Sequence, residues 1–278
     1  MNQYFSTNKG LVTLGPELIE VVNLLESRFL GWAGEVGAKD MHFPTLLSTE
    51  SLNKFDYFRN FPHLGTVVSR INAGELEAYA AGEHSDSCIP TGHLADGHFV
   101  LQPASCYNVY LHFEDSQFNE AKYITTNGHC FRNEKEYTRL TRLWGFHMRE
   151  IVCIGSADEV KAHLVDGKQR ILKIAEELDV TLTVEMATDP FFDNQSKRKL
   201  MQKLFPVKEE FVTHDGVAIA SCNYHRNFFG ERCNINLAED GFAHTGCVAF
   251  GIERWLHALL DRYGNDIEAI KSACTIKG

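Results

Sequence analysis

A single amphipathic helix, predicted over residues 156–179, does most to decide which fold this chain can adopt. Ser156 followed by Glu159 forms a capping box at its start. The apolar residues that follow fall on one face at helical spacing: Val160, Leu164, Ile171, Ile174 and Leu178. β-rich segments stand on both sides of it, at 97–102, 106–113, 121–133, 146–155, 181–187 and 216–225. That order predicts an α+β fold, a mainly antiparallel sheet flanked by helices.

Two further helices frame these strands. Residues 15–37 place a proline at a first helical position with apolar residues at helical spacing behind it, and a closing helix begins near Gly251. Residues 38–48 predict a short strand broken by Pro44. The sequence has no internal repeat, no low-complexity stretch and no linker rich in proline, glycine or serine. We therefore expect a single domain over residues 1–278.

Charge and composition exclude several function classes. The formal net charge is -10, whereas proteins that grip nucleic acid usually carry a basic face, because their affinity comes largely from neutralising phosphates. We therefore expect no tRNA partner. No apolar run is long enough to cross a membrane, and the first residues lack the pattern of a signal peptide. Eight scattered cysteines without a CxxC motif predict free thiols, and hence a cytoplasmic protein with no membrane partner.

The stretch CFRNEKEYTRLTRLWGFHMREI, residues 130–151, carries the clearest binding chemistry. Arg132 and Glu134 lie two apart on a predicted strand and so point to the same side, and a returning strand carries Phe146 and Glu150. The connecting loop adds Arg139 and Arg142. Guanidinium groups fit phosphate oxygens and stack on flat rings, so this pattern matches a nucleotide with its phosphates and adenine. The alternative is an ordinary hairpin with a salt-bridged polar face.

A second stretch, HTGCVAFGIER at residues 244–254, supports the nucleotide interpretation. Together the two stretches resemble motifs 2 and 3 of the class II aminoacyl-tRNA synthetases, and residues 15–47 resemble the weaker motif 1, through which those enzymes dimerise. The three occur in the family's order and cover most of the chain. The resemblance implies a class II synthetase-like catalytic domain, bound ATP with Mg²⁺, and a homodimer.

The same resemblance assigns roles to individual residues. Arg132 would bind the α-phosphate, while Phe146 and Arg254 would enclose the adenine, and the two arginines would carry the catalysis. Glu134 would face the adenine or the amino acid. One of the two loop arginines would hold the outer phosphates, and the loop spacing leaves the choice open. Glu150, on the strand of Phe146, is assigned to the ATP-binding side.

Within the family the chain is most similar to the seryl-tRNA synthetase branch and to its truncated relatives, the amino acid:carrier-protein ligases. The segments CFRNE, MREI, ATDPFF, SCNYHRNFFG and HTGCVAFGIER carry this likeness. The predicted motif 1 helix begins near residue 16, which leaves no room for the N-terminal coiled-coil arm that grips tRNA. The resemblance implies that a small amino acid, glycine or alanine, is activated as an aminoacyl adenylate. The acyl group would then pass to the phosphopantetheine thiol of a carrier protein.

A zinc ion is also implied, because the zinc-dependent members of this branch bind it through two cysteines and a glutamate. Cys130 and Cys247 match those cysteines, and Glu185, in the strand after the long helix, is the preferred third ligand. Glu176 and Glu177 remain alternatives, although they stand at the end of that helix. Three protein ligands with an open fourth position are typical of a catalytic zinc.

Three more residues are candidates for the substrate pocket. Residues 102–110 replace a Thr-x-Glu loop of bacterial-type seryl-tRNA synthetases, and Ala104 and Cys106 stand at its two key positions. Cys106 is therefore assigned to the lining of the substrate pocket. Asn223 and His225, in NYHRNFFG, are also assigned to substrate binding, and the alternative for His225 is a hydrogen-bonded core histidine. Two rival functions stay open. One is a synthetase relative that acts on tRNA, and the other is a non-catalytic regulator that kept the ATP-binding fold.

Overall fold

Residues 4–84, 87–193, 207–239 and 241–275 are described by the structure, a computed structural model. The helices are α1 (Pro16–Glu35), α2 (Thr49–Lys54), α3 (Tyr57–Asn60), α4 (Leu76–Ala80), α5 (Cys106–His112), α6 (Ala157–Glu177), α7 (Phe228–Arg232), α8 (Ile252–Arg262) and α9 (Ile267–Cys274). The strands are β1 (Phe5–Asn8), β2 (Leu11–Leu14), β3 (Lys39–Asp40), β4 (Leu46–Ser48), β5 (Val67–Val68), β6 (Phe99–Leu101), β7 (Gln117–Phe118), β8 (Lys122–Phe131), β9 (Gly145–Gly155), β10 (Leu182–Met186), β11 (Lys208–Thr213), β12 (Ala218–Arg226), β13 (Asn236–Leu237), β14 (Gly241–Phe242) and β15 (His244–Gly251).

The main sheet has seven strands in the order β10-β11-β12-β15-β9-β8-β3. Its neighbours pair antiparallel, except for the short edge strand β3, which runs parallel to β8. Residues opposite each other in an antiparallel pair share a face of the sheet. The predicted α+β architecture is therefore confirmed.

Helices cover one face of this sheet and bury the larger part of the core. Ser156 and Glu159 form the predicted capping box at the start of α6, and α1 begins at Pro16. Val248 and Phe250 of β15 point into this helical layer. The Phe250 ring stacks on Phe29 of α1, with centroids 4.1 Å apart. The helical layer packs on one face of β9 and β15, and the other face of these strands remains available for a site.

On the opposite face of the sheet, one predicted strand is a helix in the structure. Residues 106–113 predict a strand from their β-rich composition, but residues 106–112 form the helix α5. Cys106, Val109 and Tyr110 are buried at i, i+3 and i+4, a spacing that a helix brings to one face and a strand does not. Burial of that face against the sheet outweighed the local β propensity.

Within the described ranges, none of the helices combines the length and the apolar character that crossing a membrane requires.

Candidate active site

A cavity of about 580 Å³ opens on the sheet face opposite the helical layer. Ten of the residues selected from the sequence line it: Cys106, Arg132, Glu134, Arg142, Phe146, Glu150, Asn223, His225, Cys247 and Arg254. Three selected residues lie outside it: Cys130, Arg139 and Glu185. The strands thus bring together side chains that are far apart in the sequence.

One end of the cavity combines a positive charge with an aromatic ring. The Arg132 guanidinium lies 5.2 Å from the centre of the Phe146 ring. Its Nε donates to the backbone carbonyl of Pro103 at 3.0 Å, and its Nη2 lies 3.8 Å from the Met148 sulfur. Phe146, Met148 and Glu150 alternate along β9 and so share the cavity face. Arg132 therefore stands between the aromatic ring and the Glu150 carboxylate.

Arg254 encloses the same end from the first turn of α8. Its Nε donates to the Thr141 carbonyl at 2.8 Å and its Nη1 donates to the Ala218 carbonyl at 2.9 Å. Burial, and after it the positive charge of Arg132, lowers the pKa of this guanidinium. An arginine keeps its charge nonetheless. Two positive groups held this close in an enclosed site favour an anionic ligand.

The loop between β8 and β9 separates its two arginines. Arg142 faces the cavity, with its Nη1 3.9 Å from a Glu134 oxygen. Arg139 has a positive φ of 38° and points away, its guanidinium 5.4 Å from the centre of the Phe5 ring. Of the two alternatives that the sequence left open for the outer phosphates, Arg142 is the one that reaches the site.

The other end of the cavity holds a group of two thiols and a carboxylate. Cys106 at the start of α5, Glu150 of β9 and Cys247 of β15 are all buried, and their donor atoms lie within 4.8 Å of one another. The sheet register brings two of them together, since Ala249 pairs with Glu150 and Cys247 pairs with Val152. The third comes from α5, which packs on this part of the sheet.

Backbone donors fix the carboxylate of this group. Glu150 Oε1 accepts from the amides of Ser105 at 2.8 Å and of Cys106 at 3.2 Å. A hydrogen bond with Cys247, followed by burial, raises the pKa of the Cys106 thiol. The bond with Cys106 acts to lower the pKa of Cys247, but burial and the charge of Glu150 outweigh it and the net direction is upward.

This donor set fits a divalent metal. Two thiolates and a carboxylate are ligands that Zn²⁺ takes, and tetrahedral zinc–sulfur bonds place two sulfurs about 3.8 Å apart, inside the observed separation. Thiol ligands also favour zinc over magnesium or calcium. A bound cation would compensate the negative charge that burial disfavours here.

Of the three residues that the resemblance assigns to zinc, the structure places one in this group and two outside it. The structure keeps Cys247 in the group and replaces Cys130 by Cys106. The Cys130 sulfur is 3.3 Å from the Ser105 hydroxyl, beside the group without belonging to it. Burial raises the pKa of Cys130 to about 12.

The predicted glutamate ligand is also different. Glu185 is exposed on the edge strand β10. Strands β11 and β12 lie between β10 and β15, so the distance from β10 to β15 across the sheet is about 14 Å. The alternatives Glu176 and Glu177 stand at the end of α6, and Glu177 pairs with Arg28 at 2.6 Å. The carboxylate in the group belongs to Glu150, which the sequence assigned to the ATP-binding side.

Asn223 and His225 form the wall next to Cys247. Asn223 Nδ2 donates to the Cys247 sulfur at 3.4 Å, and the two residues face each other in the β12–β15 pair. His225 Nδ1 lies 3.2 Å from both the Tyr110 hydroxyl and the Thr245 hydroxyl. Burial lowers the pKa of His225 to about 4, so this imidazole is neutral and its position is set by hydrogen bonds.

A buried carboxylate that the sequence did not single out also lines the cavity. Glu253, one residue before Arg254, is 1% exposed. It accepts from the backbone amide of His147 at 2.9 Å and bonds the Nδ1 of the same histidine at 2.8 Å. The contact holds α8 on β9 behind the Phe146 ring. It belongs to the stretch HTGCVAFGIER, but its partner is 106 residues away in the chain, so this contact is not visible locally.

Comparison with known proteins gives the family. Residues 93–263 match the tRNA synthetase class II core domain of the G, H, P, S and T enzymes. The chain is 34% identical to amino acid–[acyl-carrier-protein] ligase 1 of Bradyrhizobium diazoefficiens over 253 residues, 84% of this chain and 74% of the relative. It is equally identical to ligase 2 of that organism over 267 residues, 93% of this chain and 78% of the relative.

Serine–tRNA ligases are similar at a greater distance. The type-2 enzyme of Methanococcus aeolicus is 27% identical over 84% of this chain and 48% of its own length. Among solved structures, the seryl-tRNA synthetase of M. kandleri superposes with a TM-score of 0.84 at 20% identity, over 97% of this chain and 58% of that one. At that identity the likeness shows the fold alone. From the core-domain match and the two relatives at 34% identity, the chain belongs to the class II aminoacyl-tRNA synthetase family, in its group of amino acid–carrier-protein ligases, and is a ligase.

Proposed function

We propose that the protein activates a small amino acid with ATP and transfers it to the phosphopantetheine thiol of a carrier protein. The order of groups along β9 is the observation that carries this proposal. Phe146 and Glu150 share one face and stand four residues apart, about 13 Å along the strand. The Arg132 guanidinium lies between them, at Met148. An adenine, a phosphate and a short aminoacyl group fit this order.

The first half-reaction depends on positioning the two substrates and neutralising phosphate charge more than on proton transfer. The amino acid carboxylate attacks the α-phosphorus in line, and pyrophosphate leaves. Arg132 and Arg254 neutralise the charge that develops on the phosphate oxygens, and Arg142 holds the outer phosphates, which carry Mg²⁺. Because the arginines are fixed to backbone carbonyls beforehand, little reorganisation is required when the substrates meet.

We further propose that Cys106, Glu150 and Cys247 hold Zn²⁺, which as a Lewis acid would bind the substrate amine. The residues around it give selectivity. Asn223 and His225 wall the space next to Cys247, and His225 packs against the Phe229 ring with centroids 5.0 Å apart. We propose that this wall restricts the substrate to a small amino acid, glycine or alanine.

In the second half-reaction the carrier thiol attacks the adenylate carbonyl and AMP leaves. The carrier is proposed over tRNA because the net charge of -10 offers little to an RNA backbone. Two other proposals concern the protein's setting. A homodimer is proposed from the resemblance of α1 to the dimer-forming motif. The cytoplasm is proposed because all eight thiols are free.

ATP–pyrophosphate exchange over a panel of amino acids tests the activation step. We expect exchange with glycine or alanine only, and the absence of exchange with every amino acid would contradict the proposal. Transfer is then measured side by side to a phosphopantetheinylated carrier and to tRNA, and charging of tRNA alone would favour the rival function.

The metal is tested in the same preparations. We expect Cys106→Ser and Cys247→Ser to lose the zinc held by this group and, with it, exchange. Cys222→Ser, a substitution of a buried cysteine on the helical side of β12, is the matched control and should retain both. Exchange at the wild-type rate in a Cys247→Ser variant that has lost the zinc of this group would refute the assignment.

A further inference from the structure

The segment between β5 and β6, residues 69–98, lies outside the chemistry described so far. It leaves the rim of the cavity just after Leu64 and returns to it just before Pro103. Among its described residues, 69–84 and 87–98, none has a buried side chain. Because none of these residues is buried, apolar burial contributes little to the stability of this segment. Its conformation therefore requires another source of stability.

Three potential metal ligands meet within this segment. Glu75, His84 and His93 each present a donor atom, and these atoms lie within 4.8 Å of one another. The Nε2 atoms of both histidines face the same oxygen, Glu75 Oε2, at 3.1 Å for His84 and 3.8 Å for His93. The longer distance exceeds that of a hydrogen bond.

The backbone places two of these residues side by side. The amide of Asn72 donates to the His93 carbonyl at 2.8 Å, and Ile71 forms a β-bridge with Leu94. The Asn72 side chain then accepts from the Gly74 amide at 3.3 Å and starts the short 3₁₀ turn that ends at Glu75. Glu75 and His93 are therefore held together independently of their side chains.

A tyrosine orients one of the imidazoles. The Tyr79 hydroxyl lies 3.1 Å from Nδ1 of His93, on the side of the ring away from Glu75. Histidines that bind metals commonly bond a second group through the other ring nitrogen, and that bond sets both the tautomer and the ring direction. Tyr79 also contacts His84, with ring centroids 4.4 Å apart.

We propose that Glu75, His84 and His93 form a second metal site that binds Zn²⁺ or a similar divalent transition metal and stabilises this segment. Two imidazole nitrogens and a carboxylate suit such ions. Tetrahedral zinc bonds of this kind place neighbouring donor atoms about 3.3 Å apart, which the observed 3.1 and 3.8 Å bracket. The His93 Nδ1 then carries the proton and donates to the Tyr79 oxygen.

This site is independent of the proposed catalytic zinc, since the two share no ligand and no element of structure. The ligand side chains are 23–32% exposed, so an ion reaches them from solvent. A bound ion would join the turn that ends at Glu75 to the returning chain at His93. Metal binding would thereby contribute folding free energy to a segment that lacks an apolar core.

Titration of the metal-stripped full-length protein with Zn²⁺ and Co²⁺ tests the proposal. We expect the wild type to bind about one ion more than His93→Gln and Glu75→Gln. His98→Gln, an exposed histidine of the same segment outside the group, is the matched control and should bind as the wild type does. Zn²⁺ should slow proteolysis of residues 69–98 in the wild type and in the control, but not in His93→Gln.

Cobalt absorbance separates this site from the catalytic one. A site without cysteine gives no thiolate-to-cobalt charge-transfer band, so His93→Gln should keep the band of the thiolate site and lose one ion. The wild type could bind a single cobalt ion that gives no charge-transfer band and is lost in His93→Gln. That result would support the second site and contradict the proposed catalytic zinc. Equal ion counts in the wild type and His93→Gln would overturn the second site.

Tyr79→Phe provides a test that does not remove a ligand. We expect it to weaken metal binding at this site about 10- to 100-fold, because the His93 ring loses the group that orients it. Unchanged affinity together with unchanged ion counts in the ligand variants would mean that the group is only a hydrogen-bonded cluster.

Discussion

Arg254 donates a 2.8 Å hydrogen bond from Nε to the backbone carbonyl of Thr141, so the first turn of α8 holds the loop between β8 and β9. The same guanidinium donates to the Ala218 carbonyl of β12. One side chain therefore joins three elements around the end of the cavity where we propose that the nucleotide binds. Both backbone acceptors are neutral, so these two hydrogen bonds do not neutralise its charge.

Replacing Arg254 tests this arrangement. We expect Arg254→Gln to lower kcat/KM for ATP in pyrophosphate exchange about 100- to 1,000-fold, the usual effect of losing one preorganised group that stabilises developing charge. Arg254→Lys should be nearly as poor, because an ammonium cannot stack on a ring or span both carbonyls.

A control for this change lies on the same helix. Arg262 stands at the exposed end of α8, where it pairs with Asp179. Arg262→Gln should leave exchange unaltered. A loss in Arg254→Gln that is no larger than in Arg262→Gln would contradict the role given to Arg254.

A buried ion group behind the site supports a prediction about stability. Arg149 of β9 is 5% exposed; its Nε donates to Glu26 of α1 at 2.9 Å and its Nη1 to Asp40 of β3 at 3.0 Å. Arg149→Met should lower the free energy of unfolding by about 3–5 kcal/mol, because it leaves the Glu26 carboxylate, whose side chain is 13% exposed, without its partner. Arg170, which pairs with Glu35 nearer the surface, is the control, and Arg170→Met should cost about 0–1 kcal/mol. Urea unfolding measures both, and equal losses would refute the distinction.

His147, which is hydrogen-bonded to Glu253, supports a prediction about how stability depends on pH. The hydrogen bond with Glu253 raises the pKa of His147 above its usual 6.5, with smaller help from the charge of Glu26 and against burial. A raised folded-state pKa stabilises the fold fully below about pH 6.5, and this contribution is lost as the pH rises through the folded value. His147→Gln should therefore cost more stability at about pH 5.5 than at about pH 8.5.

The neighbouring histidine should behave in the opposite way. The rings of His129 and His147 stack with centroids 4.4 Å apart. Burial, and then the charge of His147, lowers the pKa of His129. Its contribution is present above the unfolded pKa and is lost as the pH falls through the folded value, so His129→Gln should cost more at high pH. Thermal unfolding at several pH values checks both signs, and the same trend in the two variants would contradict the assignment.

Much of this architecture could be predicted from local sequence. The capping box of α6, the proline that starts α1 and the apolar stripes behind them are local signals, and the structure has all three. The nucleotide end could also be proposed, because Arg132 and Phe146 lie on consecutive strands and Arg254 follows a recognisable turn. Such features depend on residues close in the chain or on a known motif.

The metal group could not be assembled in the same way. Cys106 lies on a helix, α5, whose β-rich composition predicts a strand instead. Glu150 meets Cys247 only through the register of β9 with β15, and a shift of that register by one residue would turn the side chains of one strand to the other face. The resemblance assigns the ligand role to Cys130, at the head of motif 2, whereas the sheet places this residue beside Ser105.

Gly128 of β8 connects this geometry to a last prediction. A Cβ added there would lie 2.3 Å from the Ser105 hydroxyl and 2.7 Å from the Gln102 amide nitrogen. Ser105 is the residue whose backbone amide donates to Glu150, so displacing it moves the carboxylate and the start of α5. Gly128→Ala should therefore cost about 1–3 kcal/mol of stability and lower zinc content and exchange together. Gly31→Ala is the control, since a Cβ there meets nothing within 4 Å and a helical alanine should stabilise α1 by about 0.5–1 kcal/mol. Full zinc content and exchange in folded Gly128→Ala would show that Ser105 does not position the metal group.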